Sequence, residues 1–133
     1  MNTRLLEMPI CVQISEPWDF EVPGRGTMIE GLTGGICLGP AERNWQGKYL
    51  LVSAFQEFSW KGETVRQLLL SPRYTGDRIE DIRTGKKMIM GIARVKPGTF
   101  LKTSTPFSKE DVDYFAIGSA QIVKGKPGRT VPS

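Results

Sequence analysis

The sequence predicts a mainly β domain, a small antiparallel barrel or sandwich with one or two short helices, with an α+β arrangement as the nearest alternative. Three observations lead there. Short apolar runs recur at roughly 8–12-residue spacing between turn residues, which is the rhythm of an all-β chain. Fifteen Gly and nine Pro among 133 residues leave little room for long helices. The stretch 48–74 also doubles back on itself at a tight turn with chemically matched partners on its two arms.

The elements follow in order. Residues 8–15 alternate Ile10, Val12 and Ile14 against Cys11, Gln13 and Ser15, which is a strand broken by Pro17. Residues 23–40 hold six glycines with apolar pieces between them, and predict two short strands joined by Gly turns. Residues 48–60 and 63–74 predict a hairpin around Lys61-Gly62. That loop pairs Trp60 with Glu63, Ser59 with Thr64 and Phe58 with Val65. It continues with Glu57 facing Arg66, Gln56 facing Gln67, Phe55 facing Leu68, Ala54 facing Leu69 and Ser53 facing Leu70. Near its base both faces of the hairpin are apolar. One carries Tyr49, Leu51, Phe55, Leu68 and Leu70; the other carries Leu50, Val52, Ala54, Phe58 and Leu69. Two-sided apolar strands need cover on both sides, from a helix, a second sheet or a partner subunit. A homo-oligomer is therefore an expectation.

Residues 77–85 predict one helical turn, with Asp77 as N-cap, Glu80 three positions on and Gly85 past the end. Residues 86–96 predict a strand stopped by Pro97-Gly98, with Gly91 marking a bulge or a close backbone approach. Residues 99–103 pair back across that turn. Ser108 starts a short helix through Tyr114 or Phe115, Gly118 ends it, and 120–124 is a last strand. The count is seven to nine strands in one domain, 1–124, followed by a flexible basic tail, 125–133.

Composition narrows the chemistry. The chain has no His, so Ser-His-Asp and Cys-His catalysis and His-containing metal sites are excluded. Cys11 and Cys37 are too few for a structural zinc site and read as small buried apolar groups. No signal-peptide core and no apolar run of transmembrane length is present, so a cytoplasmic protein away from membranes is the expectation. No cofactor and no metal is expected. Gly24-Arg25-Gly26 lacks the Gly-Lys-Ser/Thr of a phosphate loop, and Ser119 reads as a turn serine.

Net charge is +4, unevenly spread: −3 over 1–60, +6 over 61–102 and +1 over 103–133. Three functional readings follow. The first is a non-enzymatic barrel that binds a small apolar or anionic molecule, or a protein. Its ligand-binding residues are Trp45, Tyr49, Arg73 and Tyr74, gathered where Tyr49 opposes Tyr74 in the hairpin register. The second is a nucleic-acid-binding module on the basic segment 61–102, using Trp60, Lys61, Arg66, Arg73, Tyr74 and Arg78. The third is a His-free hydrolase built on carboxylates such as Glu57 and Glu63. Glu57 and Arg66 also form a candidate functional ion pair.

Overall fold

The computed structural model describes residues 6–17, 26–39, 47–60, 62–74, 76–96, 98–99, 101 and 106–123. Six antiparallel strands close into an up-and-down barrel: β1 (Leu6–Pro17), β2 (Met28–Leu38), β3 (Lys48–Trp60), β4 (Glu63–Pro72), β5 (Met88–Val95) and β6 (Val112–Ile122). Each strand pairs with its neighbours in sequence, and β6 pairs with β1 to shut the ring. Closure decides for the barrel over the sandwich.

The helical turn expected at 77–85 forms as a 3-10 helix, Ile79–Thr84, whereas the short helix expected from Ser108 is reduced to a single 3-10 turn, Lys109–Asp111. Gly85 ends the first with φ +93, as expected of a left-handed cap. Its N-cap position is Arg78 rather than Asp77, whose carboxylate instead faces Lys86 at 3.6 Å. The second keeps the Ser108–Asp111 capping box but stops at Asp111. Val112, Tyr114 and the residues after them extend as β6, and Gly118 and Ser119 lie in mid-strand. β-branched and aromatic residues at 112–117 fit a pleated surface better than a helix, and the ladder to β5 takes up their backbone groups.

The 23–40 segment holds one strand where two were expected. Gly34-Gly35 does not reverse the chain: it forms a bulge between Thr33 and Ile36, with Gly35 at φ +91. Of the predicted pairing of 99–103, Thr99 and Leu101 lie outside the sheet, and residues 100, 102 and 103 lie outside the described residues. Gly91 sits in regular pairing with Ser71, and the bulge falls one residue on, between Ile92 and Ala93.

The hairpin register agrees with expectation for three pairs, Trp60–Glu63, Ser59–Thr64 and Phe58–Val65. It then shifts. The next pairs are Ser53–Gln67, Val52–Leu68, Leu51–Leu69 and Leu50–Leu70, so four residues of β3 oppose one of β4. The side-chain pairs predicted between 53–56 and 67–70 are thereby replaced. Glu57 still reaches Arg66, at 2.6 Å, from within the bulge.

This shift sorts the apolar residues. Leu50, Val52, Leu68 and Leu70 point inward with Ile10, Val12, Ile14, Ile29, Ile92 and Ala116. Ile79 and Ile82 of the 3-10 turn join that core at one end, and Trp60 joins it at the other. The interior is thus filled by side chains, as a barrel this narrow requires. Tyr49, Leu51, Leu69, Ala93 and Val95 point outward and form a second cluster with Cys37, Leu101, Phe107 and Val112. Phe107 packs edge-on against Tyr49, with centroids 5.0 Å apart, and Tyr49 shares a 2.8 Å hydrogen bond with Tyr114. The cover over the outer face comes from Leu101 and Phe107 of the same chain. The two-sided apolar strands therefore do not by themselves require a second subunit.

Tight closure brings backbones together at glycines. A Cβ on Gly118 would lie 2.0 Å from the carbonyl oxygen of Gln13, and one on Gly31 would lie 2.2 Å from that of Ser53. Both neighbours are strand backbone, which cannot step aside without breaking a ladder. Gly118→Ala is expected to lower unfolding stability by about 2 kcal/mol or more, read as a fall in urea midpoint at unchanged m-value. A midpoint equal to that of the native chain would show that the strands have slack at this crossing.

Candidate functional site

Among the described residues the barrel interior is packed with side chains. On the outside of β4 and β5 lies a groove of about 410 Å³, lined by Thr64, Arg66, Gln67, Val95, Lys96, Gly98 and Thr99. That volume falls in the range of small-molecule sites. Its origin is local. The bulge opposite Arg66 disturbs the alternation of β4, so the consecutive residues Arg66 and Gln67 both line the groove. The far wall is the turn after β5, closed by the Thr99 N–H donating to the Lys96 carbonyl, with Gly98 at φ +86.

Gln67 holds the groove's floor. Its amide Nε2 donates to the Leu101 carbonyl at 2.9 Å, and its Oε1 accepts from the Leu101 N–H at 3.0 Å. The side chain thus stands in for a neighbouring strand and satisfies both backbone groups of a buried residue. Sequence reasoning missed this role because the unshifted register paired Gln67 with Gln56. The one available signal was a lone amide in the apolar run that follows it.

Two cations flank the groove. Arg66 pairs with Glu57, but both are largely exposed, and such surface pairs contribute little and exchange readily. Lys96 Nζ lies 3.9 Å from Asp113 Oδ1, a loose contact. The other Asp113 oxygen belongs to Arg94, which donates to it from Nη2 at 2.7 Å and Nε at 3.1 Å. Arg94 points into the barrel mouth and is only 5% exposed. Its Nη1 lies 2.7 Å from Glu63 Oε1, a charge contact without the alignment of a hydrogen bond. Its guanidinium sits 4.9 Å from the Trp60 ring centroid. The desolvated cation is thus compensated by two carboxylates that keep part of their hydration and by an aromatic face.

The sequence-predicted site residues that are described fall in different places. Trp45 lies outside the described residues. Tyr49 is fully buried in the outer cluster. Arg73 and Tyr74 lie just past the end of β4, with Tyr74 58% exposed. With Leu50 opposite Leu70, Tyr49 no longer lies across from Tyr74, so the structure does not unite them in one pocket. Trp60, one of the predicted nucleic-acid contacts, is buried over Arg94, and Lys61 lies outside the described residues. Glu57 and Glu63 are engaged separately, by Arg66 and by Arg94. Ser119 is a strand residue opposite Gln13 and Ile89, not a turn residue. Cys11 and Cys37 form no disulfide with each other. Burial, reinforced by Glu30 and partly offset by Lys87, pushes the Cys11 thiol above its ordinary value.

Among the described residues no three His, Cys, Asp or Glu side chains cluster as metal ligands, and no helix is long and apolar enough to cross a membrane. The chain matches no known family model, no curated protein and no solved structure. The fold defines a class, the six-stranded up-and-down barrel with a filled interior.

Two outcomes follow. Gln67→Leu leaves the Leu101 N–H and carbonyl unpaired, and is expected to cost about 2–3 kcal/mol and speed amide exchange at Leu101. Native exchange rates there would disprove the staple. Glu80 is pulled in opposite directions: burial of its carboxyl raises its pKa, but a backbone hydrogen bond and Lys48, 3.2 Å away, together lower it further. A depressed folded-state pKa contributes stability above the ordinary carboxylate value, and that stability is lost as pH falls through the depressed one. Lys48→Met is expected to move the Glu80 NMR titration upward; an unmoved curve would remove Lys48 as a cause.

Proposed function

We propose that this protein is a non-enzymatic binding barrel whose ligand is a small anion held in the groove between β4 and the turn after β5. The observation that carries the reading is the pair of cations, Arg66 and Lys96, lining one groove with the hydroxyls of Thr64 and Thr99. Neither cation is tied to a buried carboxylate. An entering carboxylate or phosphate oxygen exchanges exposed ion pairs for charge-assisted bonds in a partly dry setting. Val95 at the base offers apolar contact to a short ligand body. The Gln67–Leu101 staple keeps the groove formed before a ligand arrives, which limits the ordering cost of binding.

Titration of the labelled protein with inorganic phosphate and a panel of small mono- and dicarboxylates tests this by amide NMR. Shifts are expected to gather at Thr64, Arg66, Lys96 and Thr99. Arg66→Gln and Lys96→Gln are each expected to weaken binding about tenfold, the worth of one charge-assisted hydrogen bond. Shifts confined to other parts of the barrel, or native affinity in both variants, would reject the groove.

A further inference from the structure

A second surface, at the opposite end of the barrel from Trp60, is built from the connection between β4 and β5. This segment, residues 73–87, carries Arg73, Arg78, Arg83, Lys86 and Lys87 against Asp77, Glu80 and Asp81. Lys48, at the start of β3, adds a sixth cation beside it through its contact with Glu80. Arg78, Arg83, Lys86 and Lys87 are exposed, and Arg73 is half-buried. Asp77 is taken by Lys86 and Glu80 by Lys48. Arg73, Arg78, Arg83 and Lys87 form no ion pair among the described residues. The nearby carboxylates leave a positive balance: Arg78 acts on Glu80 only through its field, and Glu30 lies near Lys87 on the adjoining wall, where both act on Cys11. Tyr74, 58% exposed, lies in the same segment next to Arg73.

The 3-10 turn makes this surface rigid. Ile79 and Ile82 are buried in the barrel end, and Gln121 of β6 donates to the Gly85 carbonyl at 2.8 Å. The cations are thus mounted on an anchored platform rather than a swinging loop.

We propose that this end of the barrel binds single-stranded nucleic acid, with the unpaired cations on successive phosphates and Tyr74 stacked against a base. Positive charge alone would serve any polyanion. An exposed ring in the same segment as the charges gives an advantage only where base faces are open, as in a single strand. A duplex hides those faces and offers phosphates alone. The inference is independent of the groove, since it uses different residues on a different part of the barrel.

The test is fluorescence anisotropy of the full chain with labelled 20-mers of deoxythymidine and of uridine, beside a heparin fragment and phosphatidylserine vesicles. Four phosphate contacts predict that Kd rises about 50-fold between 50 and 200 mM salt. Tyr74→Ala is expected to weaken binding about 5- to 100-fold while Tyr74→Phe stays near native, because the ring and not the hydroxyl does the stacking. Far-UV spectra and thermal midpoints of both variants, read beside the native chain, separate a lost fold from a lost stacking contact. R78Q/R83Q lowers the salt slope by about 1.4. Arg66→Gln and Lys96→Gln leave the affinity unchanged, which separates this surface from the groove. Three results would overturn the proposal: no binding to either oligomer at 50 mM salt, native affinity in Tyr74→Ala, or heparin or vesicles bound as tightly as the oligomers.

Discussion

Closing six strands into a ring is the constraint on which the rest of this structure depends. A sheet of so few strands must coil hard, and regular pleating does not supply that curvature. The chain meets the demand with register shifts in five of its six ladders, all but β4–β5. It also meets it with glycines where strands cross too closely for a side chain, Gly31 and Gly118. The narrow bore then fills with Val, Leu and Ile, and its ends are stopped by Ile79 and Ile82 on one side and Trp60 on the other. The bore is thus occupied by side chains, and the polar and charged groups stand on the wall and the rims.

The largest irregularity has the widest consequences. Four residues of β3 against one of β4 change which side chains point inward. Leu50 and Val52 join Leu68 and Leu70 in the core, and Tyr49 and Leu51 join Leu69 outside. That outer layer is sealed by Leu101 and Phe107, and Gln67 pins Leu101 by mimicking a backbone. Arg66 meanwhile stands in the groove beside Gln67. One bulge thus links core packing, the cover over the second layer and the shape of the candidate site.

Charge is arranged differently at the two rims. At the Trp60 rim Arg94 is sunk among Glu63, Asp113 and an indole face, and its charge is spent on holding that rim together. At the other rim the cations of the 73–87 connection outnumber their carboxylates and face water. The concentration of positive charge in 61–102 is therefore divided in space: part is structural, part lines the groove, and part lies on the 73–87 connection that also carries Tyr74.

Local sequence signals carried the β class, the hairpin turn at Gly62, the left-handed cap at Gly85 and the Glu57–Arg66 pair. Each depends on neighbours along the chain or just across a tight turn, where spacing and residue type are enough. The strand number, the bulge that breaks the hairpin register and the double role of Gln67 were beyond that reach. A glycine pair reads alike whether it reverses a strand or bends one, so Gly34-Gly35 split β2 on paper and only curves it in the fold. The candidate site is of the same kind: Thr64 and Arg66 meet Lys96 and Thr99 only because β4 and β5 lie side by side and a side chain of one holds down the loop that follows the other. Alternation and turn chemistry are written in the order of residues, whereas curvature, closure and the meeting of distant side chains are settled by how six strands share one small circumference.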